Sequence, residues 1–208
     1  MITLAGHFGT PKNVLGRPYF LVGLGFPPPA CQDESNASFI RMQRLEPSDI
    51  HCLSAAIGWL ELGNTTEAGV ELALVDARHK EHPDVLEVRW LLCAQERRWE
   101  EALQIAGALV QSAPERSSGW LHQAYAMRRV PDGTVKKAWE ALLPAFDKFP
   151  KEPTICYNLS CYACQMQQLE AARVWFKRAA VIGGKQKMKQ MALDDPDLEA
   201  LWGEIKGL

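Results

Sequence analysis

Four alanines, Ala68, Ala102, Ala138 and Ala172, stand 34, 36 and 34 residues apart. A small residue returning at so regular an interval restricts the chain severely, because every period must bring it back to the same packing environment. A period near 34 suits a pair of antiparallel helices that cannot bury its apolar face alone and therefore stacks on its neighbours. The stretch from Pro153 to Gly184 shows the unit most clearly, with two helical patterns joined by a short turn at Gln165–Gln168. Tyr157, Asn158 and Leu159 open the first helix. Ala172 falls where the two helices touch, and Phe176 and Ala179 follow on the second helix's inner face. The predicted fold class is all-α.

In chain order the units lie near 49–82, 83–116, 117–152 and 153–184, with capping helices over 185–208. In the first, Ile50, Leu53, Ala56, Ile57 and Leu60 make one apolar stripe. Gly63-Asn64 makes the turn, Asn64 to Glu67 fits a capping box, and Val70, Leu72, Leu74 and Val75 give the second helix its apolar surface. The second unit opens at Pro83, at a position where the amide has no helical partner anyway. It carries Leu86, Trp90 and Cys93, then Trp99, Ala102, Ile105, Ala106 and Leu109, and ends at Pro114. The third carries Trp120, Leu121, Ala124 and Tyr125, turns at Pro131-Asp132-Gly133, and resumes with Ala138, Leu142 and Ala145. Its longer turn accounts for the interval of 36. Pro144, inside that second helix, removes one backbone hydrogen bond and predicts a bend or break. After Gly183-Gly184 a helix is expected over Gln186 to Leu193. Asp195 then caps a last short helix that starts at Pro196 and buries Leu198, Leu201 and Trp202.

Residues 1–46 break the pattern. Glycine and proline cluster there without a helical or strand period, so an irregular or disordered N-terminal segment is expected before a repeat domain over 47–208. A secretory signal (Lys12 and Arg17, then Tyr19 to Phe26, then Pro29-Ala30-Cys31) fits poorly, because the apolar stretch lies far from the start and prolines crowd the cleavage site. Another reading takes Met42 as the true start. The run from Tyr19 to Phe26, the longest apolar one, falls well short of the roughly 20 residues a helix needs to cross a bilayer. Net charge is −2 with both signs interspersed, so no global field draws the chain to nucleic acid or anionic lipid.

Taken together, these features resemble the tetratricopeptide repeat family, on Trp120, on Leu159 with Ser160 in place of glycine, on the four alanines, on Phe176, and on Pro114 and Pro150. The tail from Ala192 to Trp202 is similar to the segment that closes many bacterial arrays of this family. The resemblance covers 49–184 and implies a right-handed α–α superhelix. Trp90 departs from it, standing where Ala56, Ala124 and Ser160 are small, and is expected to wedge its helices wider apart. The first and fourth units lack the final proline. The resemblance further implies a non-catalytic scaffold whose first helices line a concave groove for a peptide or partner helix. The corresponding faces carry Leu53, Ile57 and Leu60; Asp84, Glu87 and Leu91; Leu121, Tyr125 and Arg128; and Tyr157, Asn158 and Cys161. Each aliphatic member also fits a packing role between neighbouring helices. Of the Lys, Arg and Asn clamp by which some relatives hold a terminal carboxylate, only Asn158 has a counterpart, so no such clamp is expected. An apolar groove suits helix-in-groove docking instead.

Chemistry has fewer candidates. Cys161 and Cys164 share a helix face with Cys156 nearby, but zinc normally takes four ligands, and redox pairs sit at helix starts where the dipole lowers the thiol pKa. Of the six cysteines, five fall in helical pattern as small core residues, which points to reduced thiols and a cytoplasmic protein. His79 and His82 read as a solvated helix end, and His51 and His122 stand alone. Lys185, Lys187 and Lys189 are offset by Asp194, Asp195 and Asp197. No catalytic residue, metal or cofactor is expected. The reading is an adaptor that binds a protein, a peptide or a second copy of itself. The alternatives are a small chaperone shielding a hydrophobic segment of one client and a thiol-based metal or redox sensor.

Overall fold

The computed structural model describes residues 44–207, and the expectations for the N-terminal segment lie outside them. Within that span the chain is an all-α helical-repeat solenoid. Its first pair is α1 (Pro47–Glu61) and α2 (Thr65–Leu74), its second α3 (Pro83–Gln95) and α4 (Trp99–Ser112). The third is α5 (Ser117–Met127) and α6 (Val135–Lys148), and the fourth α7 (Pro153–Gln165) and α8 (Leu169–Gly183). After them come α9 (Lys185–Leu193), a 3₁₀ segment over Pro196–Leu201, and α10 (Trp202–Lys206). None of the described helices is long and apolar enough to cross a membrane.

The recurring alanines do what their spacing predicts. Ala68, Ala102, Ala138 and Ala172 all have 0% exposure, as do Ala56, Ala124 and Ser160 on the first helices of their pairs. Small residues at these crossings let two backbones approach closely. Ser160 is also more than a substitute for glycine, because its hydroxyl donates to the Ala172 carbonyl at 2.8 Å and ties α7 to α8. The turns repeat as well. Gly63, Arg97 and Gln167 occupy one register position, all in the left-handed region, with φ of 76°, 57° and 61°. Only the first is glycine, the residue that takes this conformation without penalty. The longer third turn needs Gly133 for a different reason. A Cβ there would stand 2.0 Å from the Met127 carbonyl oxygen.

Several local expectations change. Ile50, Val70 and Leu74 are exposed, while Leu72 and Val75 are buried, so the second helix of the first pair faces the core along a narrower stripe. The capping box is half formed: the Glu67 amide donates to Asn64 Oδ1, but the Asn64 amide donates to the Trp59 carbonyl and not to a glutamate. Helix α6 runs unbroken through Pro144. Trp90 is buried and stacks on His122 of α5 at 3.7 Å between ring centroids. The final helix is a 3₁₀ segment, capped by Asp195 as expected, that passes into α10. It buries Leu198 and Leu201, while Trp202 stays half-buried and donates its indole N–H to the Ala192 carbonyl at 2.7 Å.

Candidate partner-binding surface

The first helices of successive pairs, α1, α3, α5 and α7, carry the residues expected to line a groove. They divide by burial. Leu53 and Leu60 belong to the core between the first two pairs, and Leu121 is also buried. These three pack between helices, the role each aliphatic member was open to. Ile57, Leu91 and Tyr125 are half-buried, packed against the core on one side and open on the other. They occupy one register position of consecutive pairs, so they form an apolar row with one-repeat spacing.

Tyr125 is held firmly within that row. The Arg129 guanidinium lies 3.4 Å over its ring, Trp90 meets it edge-on at 5.9 Å, and Trp99 is tilted against it at 6.0 Å. The ring is thus fixed on three sides by its own neighbours.

The fourth register position is closed. Cys161, which continues the row on α7, is buried, with its thiol 3.6 Å from Asp195 Oδ2. The same carboxylate oxygen accepts from the Tyr157 hydroxyl at 2.9 Å. Arg128, at the end of α5, donates to both oxygens of Asp197, at 2.6 and 3.3 Å. Three expected groove residues are therefore engaged by the chain's own C-terminal segment. Nothing in the repeat pattern marks these contacts, although the Asp195-Pro196-Asp197 sequence that makes them is plain. Asn158 turns inward on its own helix and donates to the Thr154 carbonyl at 2.9 Å.

Two buried acid–histidine pairs were not legible. Glu87 on α3 accepts from Ser118, and its other oxygen lies 2.7 Å from His122 Nε2 on α5. Asp84 accepts from Arg116 beside it at 2.5 Å. Burial, the largest single influence, raises the Glu87 carboxyl, but the hydrogen bond and charge of His122, the Ser118 hydroxyl and the Arg116 charge together outweigh it and hold the group below its ordinary value. His122 therefore does not stand alone. Its separation from Glu87, one repeat plus one residue, is the signal that could have revealed it. His79 is likewise buried and not a solvated helix end. It lies 2.5 Å from Asp49 Oδ2, while the Asp76 amide donates to Asp49 Oδ1 at 3.0 Å. That amide, more than His79, holds the Asp49 carboxyl below its ordinary value against the opposing effect of burial. This clasp ties the start of α1 to the connection after α2.

The thiols show no sign of activation. Cys156, Cys161 and Cys164 are buried, and burial pushes each thiol up, with Asp195 adding to the effect at Cys161. Reactive thiolates need the opposite shift.

No family model matches the sequence, and no curated protein does. Solved structures of MamA do match in fold. The chain superposes on "MamA 41-end from Desulfovibrio magneticus RS-1" with a TM-score of 0.57 at 16% identity, covering 79% of this chain and 97% of that one. It also superposes on a MamA RS-1 double mutant with a TM-score of 0.55 at 18% identity, covering 68% and 79% of the two chains. For MamA MSR-1 the TM-score is 0.52 at 18% identity, covering 65% and 76%. At these identities the likeness concerns the helical-repeat fold.

Proposed function

We propose that this chain is a non-catalytic, cytoplasmic scaffold that holds a partner's apolar helix or peptide along its first three repeats. The observation that carries this reading is the half-exposed row of Ile57, Leu91 and Tyr125. Its one-repeat spacing offers successive shallow sites to successive apolar side chains, and a preformed array spends little ordering entropy on binding. Polar neighbours are already satisfied within the chain, as the Glu87–His122 and Asp84–Arg116 pairs show, so recognition rests on apolar burial. The raised thiols suit a reducing compartment and a structural role.

The test is affinity capture with the wild-type chain and with Leu91→Glu and Tyr125→Glu variants, using Val70→Glu and Val174→Glu as controls on exposed positions of second helices. Loss of the captured protein with the first two and retention with the controls is the expected result. Equal capture by all four variants would refute the reading. One unstable client that co-purifies one-to-one would mark the protein as a chaperone.

A further inference from the structure

We propose that the C-terminal segment 185–207 is an exchangeable module, and that two copies of this chain can each cover the other's fourth repeat with it. The segment is packed on itself. The Trp202 indole donates to Ala192, and the Lys189 ammonium donates to the Lys206 carbonyl at 2.8 Å, so α9 and α10 are held together independently of the array. It grips the array through Asp197, which holds Arg128 by its carboxylate and Gln165 by its carbonyl, through Asp195 on Tyr157 and Cys161, and through Glu204 on Arg173 at 2.7 Å by both carboxylate oxygens. Leu198, at 0% exposure, supplies an apolar anchor. Every one of these array sites exists unchanged on a second copy.

What joins module to array is a single residue. Helix α8 ends at Gly183 and α9 begins at Lys185, with only Gly184 between them, at φ 89° and ψ 124°. Elsewhere the second helix of a pair is followed by a longer connection, four residues between α4 and α5 and four between α6 and α7. So short a joint, held at positive φ, has a simple alternative. If Gly184 adopts helical angles, α8 and α9 fuse into one helix over 169–193 and the module swings away from its own array. It can then dock on another array with the same contacts, which makes exchange a low-cost route to a dimer. The partner is therefore a second copy of this chain. The inference does not depend on the groove reading, since a swapped dimer leaves Ile57, Leu91 and Tyr125 where they are.

The joint can be perturbed cleanly. A Cβ on Gly184 would meet no atom within 4 Å, so Gly184→Ala alters the backbone preference alone and pushes it toward the fused helix. By light scattering after size exclusion, the full-length variant is expected at twice the 23.3 kDa of one chain, with unchanged helix content. A folded, monomeric Gly184→Ala chain would overturn the proposal. Should that variant fail to fold, a second experiment decides. Full chains carrying Arg128→Glu or Asp197→Arg each juxtapose like charges when the module covers its own array. Refolded together at roughly millimolar chain, comparable with the effective concentration of a short tether, they restore opposite charges at both joints only by exchange. A one-to-one heterodimer by native mass spectrometry supports the proposal, and its absence overturns it.

Discussion

Replacing Ala172 with tryptophan probes the packing on which the array rests. Ala172 is fully buried on α8, and its carbonyl accepts the hydroxyl of Ser160, itself fully buried, at 2.8 Å. Overpacking such a crossing costs about 1–3 kcal/mol. Prising α7 from α8 also leaves Ser160 without its acceptor, which adds about 1 kcal/mol. The sum is about 2–4 kcal/mol. In a domain of this size each kcal/mol moves Tm by about 2–4 °C, so Ala172→Trp should melt about 4–16 °C lower. Thermal circular dichroism measures the drop, and amide exchange should place the lost protection in α7 and α8. Val174 on the same helix is 51% exposed, and Val174→Trp should stay within about 0.5 kcal/mol of wild type. Equal melting of the two variants would refute the helix-crossing argument.

Gln167→Gly should stabilise the chain by up to about 1 kcal/mol, because glycine removes the cost of a left-handed residue at the α7–α8 turn; chemical denaturation reads it. Gly133→Ala should destabilise by more than about 1 kcal/mol in the same assay, since its Cβ collides with the Met127 carbonyl. The Glu87 carboxyl is held below its ordinary 4.5, so its contribution is present above that pH and lost as pH falls through the lower folded value. The acid limb of a stability-versus-pH curve should therefore flatten in Glu87→Gln. Cys161 should react with a thiol reagent far more slowly than the same thiol in denaturant, because burial and Asp195 both oppose its ionisation.

What could be read in advance follows from what repeats. The alanine crossings, the turns, Pro83 at a helix start and the Asp195-Pro196 cap all obey local rules that one chain displays, whereas α7 begins at Pro153, four residues before the expected Tyr157. The hydrophobic stripe was less reliable at the edge of the array, where Ile50, Val70 and Leu74 have no neighbouring repeat to cover them. At the surface, legibility ended where residues meet across repeats. Family resemblance marked Leu53, Leu60 and Tyr157 as groove positions, yet neighbouring first helices pack closely enough to bury the two leucines, and the C-terminal segment engages the tyrosine. The Asp49–His79 and Glu87–His122 pairs recur in no other repeat, so the pattern shared by the repeats does not mark them, and only the spacing of one repeat plus one residue hints at the second. Pro144 shows the reverse limit, a helix breaker through which α6 nevertheless continues unbroken.

Photo-crosslinking from single positions tests the groove most directly. A photoreactive phenylalanine analogue placed in turn at positions 57, 91 and 125, and at the exposed positions 70, 143 and 174, reports which face meets the captured polypeptide. Adducts from the first three, with none from the others, is the result expected if the half-exposed row holds the partner. Adducts from 70, 143 or 174, with positions 57, 91 and 125 silent, would contradict it.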